Sequence, residues 1–101
     1  MDKFDELREK IVPVLLPYGV KRIALFGSVA RGEETPESDL DLLVEFEEPR
    51  VRGLGLLQWV HLENQLSQRI ARRVEMVSTK ALKPRLRPYI EPDLVILYEK
   101  A

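Results

Sequence analysis

The sequence predicts an α/β domain of the α+β kind, a small mixed sheet of about four strands flanked by helices. Three observations predict it. Residues 39–46 alternate, with Leu40, Leu42, Val44 and Phe46 on one side and Asp39, Asp41, Leu43 and Glu45 on the other, which is the period of a strand. Residues 22–26 form an apolar run closed by Gly27 and too short for a helix. Leu62, Leu66 and Ile70 recur every four residues, the spacing of one helix face.

Taken in order, Phe4, Leu7, Ile11 and Leu15 line one side of a first amphipathic helix. Pro13 removes a backbone donor inside it, so a kink or restart is expected before the helix ends near Pro17-Tyr18-Gly19. The strand over 22–26 follows. Ser28 is expected to cap a brief helix through Arg31 that Gly32 stops, and the polar stretch 33–38 reads as a loop. After the strand opened by Asp39, residues 47–53 contain Pro49 and Gly53 and read as an exposed turn. A long helix is then expected from Leu54 to about Ile70, with Trp59 extending its apolar side. That side is open to two uses, core or the surface of a homo-oligomer. Residues 73–78 alternate again, Val74 and Met76 against Glu75 and Val77, and predict a third strand. Prolines at 84, 88 and 92 leave room only for short turns before a last strand over 94–98.

With 101 residues the chain is read as one domain, 1–101, able to bury about two-thirds of the surface its unfolded form exposes. Hydrophobic residues at 45% and charged residues at 33% are a globular balance and argue against disorder. A net charge of −1 gives no global basic excess, so direct nucleic-acid binding is not expected. The absence of cysteine excludes disulfides and thiolate metal sites. No apolar run approaches the ~18 residues of a membrane span, and the opening MDKFDELREK has no basic-then-apolar leader pattern, so the expected location is cytoplasmic.

The chemistry concentrates in two places. Gly27-Ser28, at the end of one strand and the start of a helical turn, offers a hydroxyl and unpaired amides to an anion, and a glycine there lets the main chain pass close to a phosphate. Ten residues lie between Ser28 and Asp39, which opens the next strand with Asp41. Residues two apart on a strand share a face, so the two carboxylates stand about 6–7 Å apart at the backbone and can converge on a hard cation. Oxygen ligands without cysteine or histidine favour magnesium or manganese. Glu75 is a charged residue inside the next strand, and it joins the same cluster if that strand pairs beside the first. Alone, a Gly-Ser is an ordinary turn and an Asp-x-Asp an ordinary strand edge; their order along the chain makes the pair specific.

The segments Gly27-Ser28-Val29-Ala30-Arg31-Gly32 and Ser38-Asp39-Leu40-Asp41-Leu42-Leu43-Val44 resemble the signature of the minimal nucleotidyltransferases of the polymerase-beta-like superfamily, especially the MntA-like antitoxins. The resemblance implies a nucleotidyltransferase that binds ATP and two magnesium ions, with Asp39 and Asp41 as catalytic metal ligands. Gly27, Ser28, Arg31 and Ser38 become nucleotide-binding positions, Ser28 contacting the triphosphate. Glu75 takes the third carboxylate position, where the family often has aspartate. Arg31 either meets a phosphate or pairs with Asp39 or Asp41. Members of the family commonly neutralise a small helical HEPN toxin by transferring AMP to one of its tyrosines.

Other features read more plainly. His61 is expected to pack or face solvent, and Trp59 to sit in the core or an interface. Arg69 to Arg73, Arg85 and Arg87 read as solvated charges ahead of a surface for nucleic acid or an acidic partner, and Tyr89 and Tyr98 as anchors of the C-terminal segment ahead of sites of self-modification. Two other functions stay in view: an antitoxin that only masks its partner, and nucleotidyl transfer to a small molecule or an RNA end.

Overall fold

The computed structural model describes residues 4–33, 35, 37–47 and 55–100, residue 80 by its backbone alone. Helix α1 spans Asp5–Leu15 and passes into a 3-10 turn at Leu16–Tyr18. Pro13 lies within α1 and does not interrupt it; the residue is exposed, so its ring faces solvent, and the lost donor leaves the helix otherwise intact. The expected restart is not seen. Strand β1 is Val20–Phe26, α2 is Gly27–Arg31, β2 is Leu40–Phe46, α3 is Leu56–Ile70 and β3 is Val74–Ser78. Short turns and the four-residue helix α4, Arg87–Ile90, lead to β4, Val95–Glu99. The expected turn beyond Glu47 and the expected start of the long helix at Leu54 lie outside the described residues.

The four strands lie in the order β3-β2-β1-β4. β1 runs antiparallel to both β2 and β4, whereas β2 and β3 are parallel and joined across α3, so the sheet is mixed as expected. The two faces of β2 separate as their alternation demands. Leu40, Leu42, Val44 and Phe46 join Ile11, Leu15, Leu62 and Leu66 in the main core beneath α1 and α3. Leu43 faces the other way and packs with Ala24 and Leu82 under the chain that links β3 to β4.

Trp59 meets Phe46 edge-on, ring centroids 6.0 Å apart, so the tryptophan closes the core at the start of α3. The apolar side of α3 divides: Leu62 and Leu66 are fully buried, while Leu56 and Leu57 are exposed. His61 is exposed.

Side chains from the two long helices close both outer edges of the sheet. On β3, the Val74 amide donates to Ser67 Oγ at 2.9 Å and the Met76 amide donates to Glu63 Oε2 at 2.8 Å. On β4, Arg8 donates from Nε to the Leu97 carbonyl at 3.1 Å and from Nη2 to the Ile96 carbonyl at 3.0 Å. An edge strand otherwise offers these groups to another chain. Among the described residues no helix is long and apolar enough to cross a membrane.

Candidate active site

The site forms where β1 ends. Phe26 is extended at φ −141° and ψ 179°, and Gly27 at φ +80° turns the chain straight into α2. Left-handed backbone of this kind suits a residue without Cβ. Because Gly27 already lies inside the helical turn, Ser28 is not its cap: the capping position is Phe26, with no side-chain hydrogen bond. The Ser28 hydroxyl is therefore not committed to the helix, and the first amides of the turn have no carbonyl a turn earlier to pair with. Gly32, at φ +74°, stops the helix as its sequence predicts, its amide donating to the carbonyls of Ser28 and Val29.

Asp41 lies across from Phe26 in the antiparallel register of β1 and β2, and across from Glu75 in the parallel register of β2 and β3. A Cβ built on Gly27 would stand 2.5 Å from Asp41 Oδ2, so the turn and the acid strand meet directly. Asp39, half-buried, precedes β2 by one residue. Burial pushes the Asp41 carboxyl above its ordinary range, the negative charges of Glu75 and then Asp39 push it further, and Arg31 pulls it back. Three carboxylates thus share one end of the sheet, and Asp41 feels the charge of the other two.

They do not converge on one point. Among the described residues no three acidic or imidazole groups are gathered closely enough to hold a metal ion together. Glu75 Oε1 instead lies 3.5 Å from Nη2 of Arg73, the residue just before β3, in a solvated pair. Sequence reading placed Arg73 among solvated cations and missed this pairing, although the period of two was the available signal.

The donor set suits a hard divalent cation. It consists of carboxylate oxygens, it includes an acid whose pKa is raised by burial and then by neighbouring negative charge, and Gly27 leaves the approach to Asp41 clear of a side chain. Asp39 and Asp41 would hold the ion, with Glu75 beside them.

The remaining nucleotide-binding candidates are placed less directly. Arg31 is exposed and pairs at 3.3 Å with Glu33, not with Asp39 or Asp41. Ser38 Oγ accepts a hydrogen bond from the Thr35 amide at 2.8 Å and so closes the loop that leads into Asp39. Tyr98 packs against the main core. Tyr89, expected to anchor the C-terminal segment, is instead 78% exposed; Ile90 and Leu94 do the packing, because α4 turns its neighbour inward and Tyr89 outward.

Comparison with known proteins gives this geometry a context. The family model that matches residues 5–100 describes a nucleotidyltransferase domain. A relative from Thermococcus cleftensis, Protein adenylyltransferase MntA, is 40% identical over 78 residues, 77% of this chain and 68% of its own. A solved toxin-antitoxin structure with AMP-PNP superposes with a TM-score of 0.77 at 21% identity, over 92% of this chain and 73% of that one. A complex of tri-AMPylated Shewanella oneidensis HEPN toxin with MNT antitoxin superposes with a TM-score of 0.69 at 19% identity, over 92% of this chain and 70% of the matched one. At these identities the two structures speak for the fold.

Proposed function

This chain belongs to the nucleotidyltransferase-domain family, and we propose that it transfers AMP from ATP to a tyrosine hydroxyl of a HEPN-type helical toxin, acting as the antitoxin. The observation that carries this reading is the direct meeting of the Gly27 turn with Asp41, opposite Glu75. A phosphate-holding turn and an acid strand in contact are what transfer at an α-phosphate requires. The relative named a protein adenylyltransferase and the AMPylated toxin in the structural neighbour support the acceptor class.

In this reading Ser28 and the first amides of α2 hold the triphosphate, with Gly27 keeping the approach open. Asp39 and Asp41 would hold magnesium, as two ions when Glu75 joins them, and magnesium supplies neutralisation of the charge that develops on the triphosphate. The tyrosine oxygen forms a bond to the α-phosphorus as the bond to pyrophosphate breaks, and the phenolic proton passes to solvent. One domain, residues 1–101, carries the reaction in the cytoplasm, where ATP and the toxin are met.

The test is to incubate the protein with α-labelled ATP, magnesium and the HEPN-type protein of the same genome. Label on a tyrosine of that protein is expected; its absence would sink the reading. Replacing Asp39 and Asp41 by alanine separates catalysis from masking, since a masking antitoxin keeps neutralising without them.

A further inference from the structure

Asp41 and Leu43 share the sheet face opposite α1 and α3, and among the described residues that face is crossed by the chain between β3 and β4. Leu82, Ile90 and Leu94 fasten this chain onto Ala24, Leu43, Phe26 and Val77. Its last turn, Glu91–Asp93, touches α2, and Val95 then enters the sheet opposite Leu25. The crossing therefore finishes at the end of the sheet that holds Gly27 and the acids. Between its buried fastenings it presents Lys83, Arg85, Leu86, Arg87 and Tyr89 to solvent.

The charges of this surface stand apart from those of most other described side chains. Among the described side chains outside it, cations are mostly matched within the fold: Lys10 by Glu6, Lys21 by Glu45, Arg22 by Glu99, Arg31 by Glu33, Arg73 by Glu75 and Lys100 by Glu47. Lys83, Arg85 and Arg87 have no ion-pair partner among the described residues, a condition shared outside this segment by Arg69 alone among the described side chains. An isolated solvated cation means little. Here three occur within five residues, with Leu86 42% exposed between them and Tyr89 78% exposed beyond. Arginine and tyrosine around an exposed aliphatic side chain are the composition of a protein-binding surface, and charge of one sign steers a partner of the other.

We propose that the outer surface of residues 83–89 docks the acceptor protein. The acceptor presents carboxylates to Lys83, Arg85 and Arg87 and an apolar side chain to Leu86 and Tyr89, which delivers its hydroxyl to the sheet end where Asp41 stands. Glu91 and Asp93, next along the chain and nearer α2, are acidic. They repel carboxylates there and so set the direction in which an acidic partner lies. This docking role rests on the reading of the protein as a transferase with a protein acceptor. RNA would match the cations but gains nothing from Leu86.

The test uses the full chain in three forms, wild type, Arg85→Glu/Arg87→Glu and the control Arg69→Glu. The probes are a fluorescein-labelled random copolymer of glutamate and tyrosine and a labelled single-stranded RNA of similar charge. Anisotropy is read at low and high salt, with circular dichroism to match folding and binding of a fluorescent ATP analogue with magnesium measured in parallel. The double variant should bind the copolymer at least about tenfold more weakly than wild type and lose most of its salt dependence, while Arg69→Glu binds as wild type does. No copolymer binding by wild type, unchanged binding by the double variant, an equal loss in Arg69→Glu, or tighter binding of RNA through the same arginines each overturns the proposal. Copolymer binding as described by a wild type that takes no nucleotide would instead remove the transferase reading and leave an acidic-protein surface.

Discussion

Oδ2 of Asp41 occupies the space beside Gly27 that a side chain on that glycine would need, 2.5 Å from the position of a Cβ. The turn that would hold phosphate and the strand that would hold metal are thus adjusted to each other through one missing methyl group. Gly27→Ala must both strain a left-handed residue, at about 1–2 kcal/mol, and displace the carboxylate. AMP transfer should fall about a hundredfold, since misplacement by an ångström has that effect. Thermal unfolding and kcat/KM measured together check it: the activity loss should far exceed what the drop in folded fraction explains.

Asp41 gives a pH prediction of definite sign. Its folded-state pKa is raised from 3.8 by burial, Glu75 and Asp39, so the folded state holds the proton more tightly than the unfolded chain does. The corresponding stability is complete below the unfolded value and is lost as pH rises through the folded one. Metal-free Asp41→Asn should therefore melt higher than wild type at neutral pH, with the difference vanishing towards pH 3.8. Magnesium should raise the melting temperature of wild type and not of the variant, and transfer by the variant should fall by more than about a hundredfold. Melting curves across pH, with and without magnesium, are the measurement.

Glu63 and Ser67 close the free edge of β3 by accepting from the amides of Met76 and Val74. Glu63→Ala should cost about 1–2 kcal/mol and expose an amide that another strand can pair with, whereas Glu63→Gln keeps an acceptor. Urea unfolding gives the energy. Sedimentation at rising concentration should show self-association for the alanine variant and none for glutamine.

Two leucines on α3 should behave oppositely. Leu66 is fully buried and Leu57 is 86% exposed. Leu66→Ala should cost about 3 kcal/mol, and Leu57→Ala should stay within about 0.5 kcal/mol of wild type. Denaturant midpoints compare them directly.

Much of the fold was legible because its signals are local. The alternation over 39–46 assigned Leu40, Leu42, Val44 and Phe46 to one face and Leu43 to the other, and the two cores divide along that line. The spacing of Leu62, Leu66 and Ile70 marked the buried side of α3, and Gly32 marked the end of α2. What misled was detail that depends on surroundings. Ser28 resembles a helix cap, but Gly27 turns first and takes the serine into the helix. Tyr89 resembles an anchor, yet Ile90 and Leu94 reach the sheet.

The sequence by itself determined which residues alternate and where a glycine turn falls, since side-chain period and glycine freedom are properties of adjacent residues. Only the tertiary structure decided that Glu75 stands opposite Asp41, that its carboxylate pairs with Arg73, and that residues 83–89 cross the acid-bearing face with their cations unmatched. Those relations join segments separated by tens of residues, and they follow from how the whole chain buries its apolar surface rather than from any local pattern.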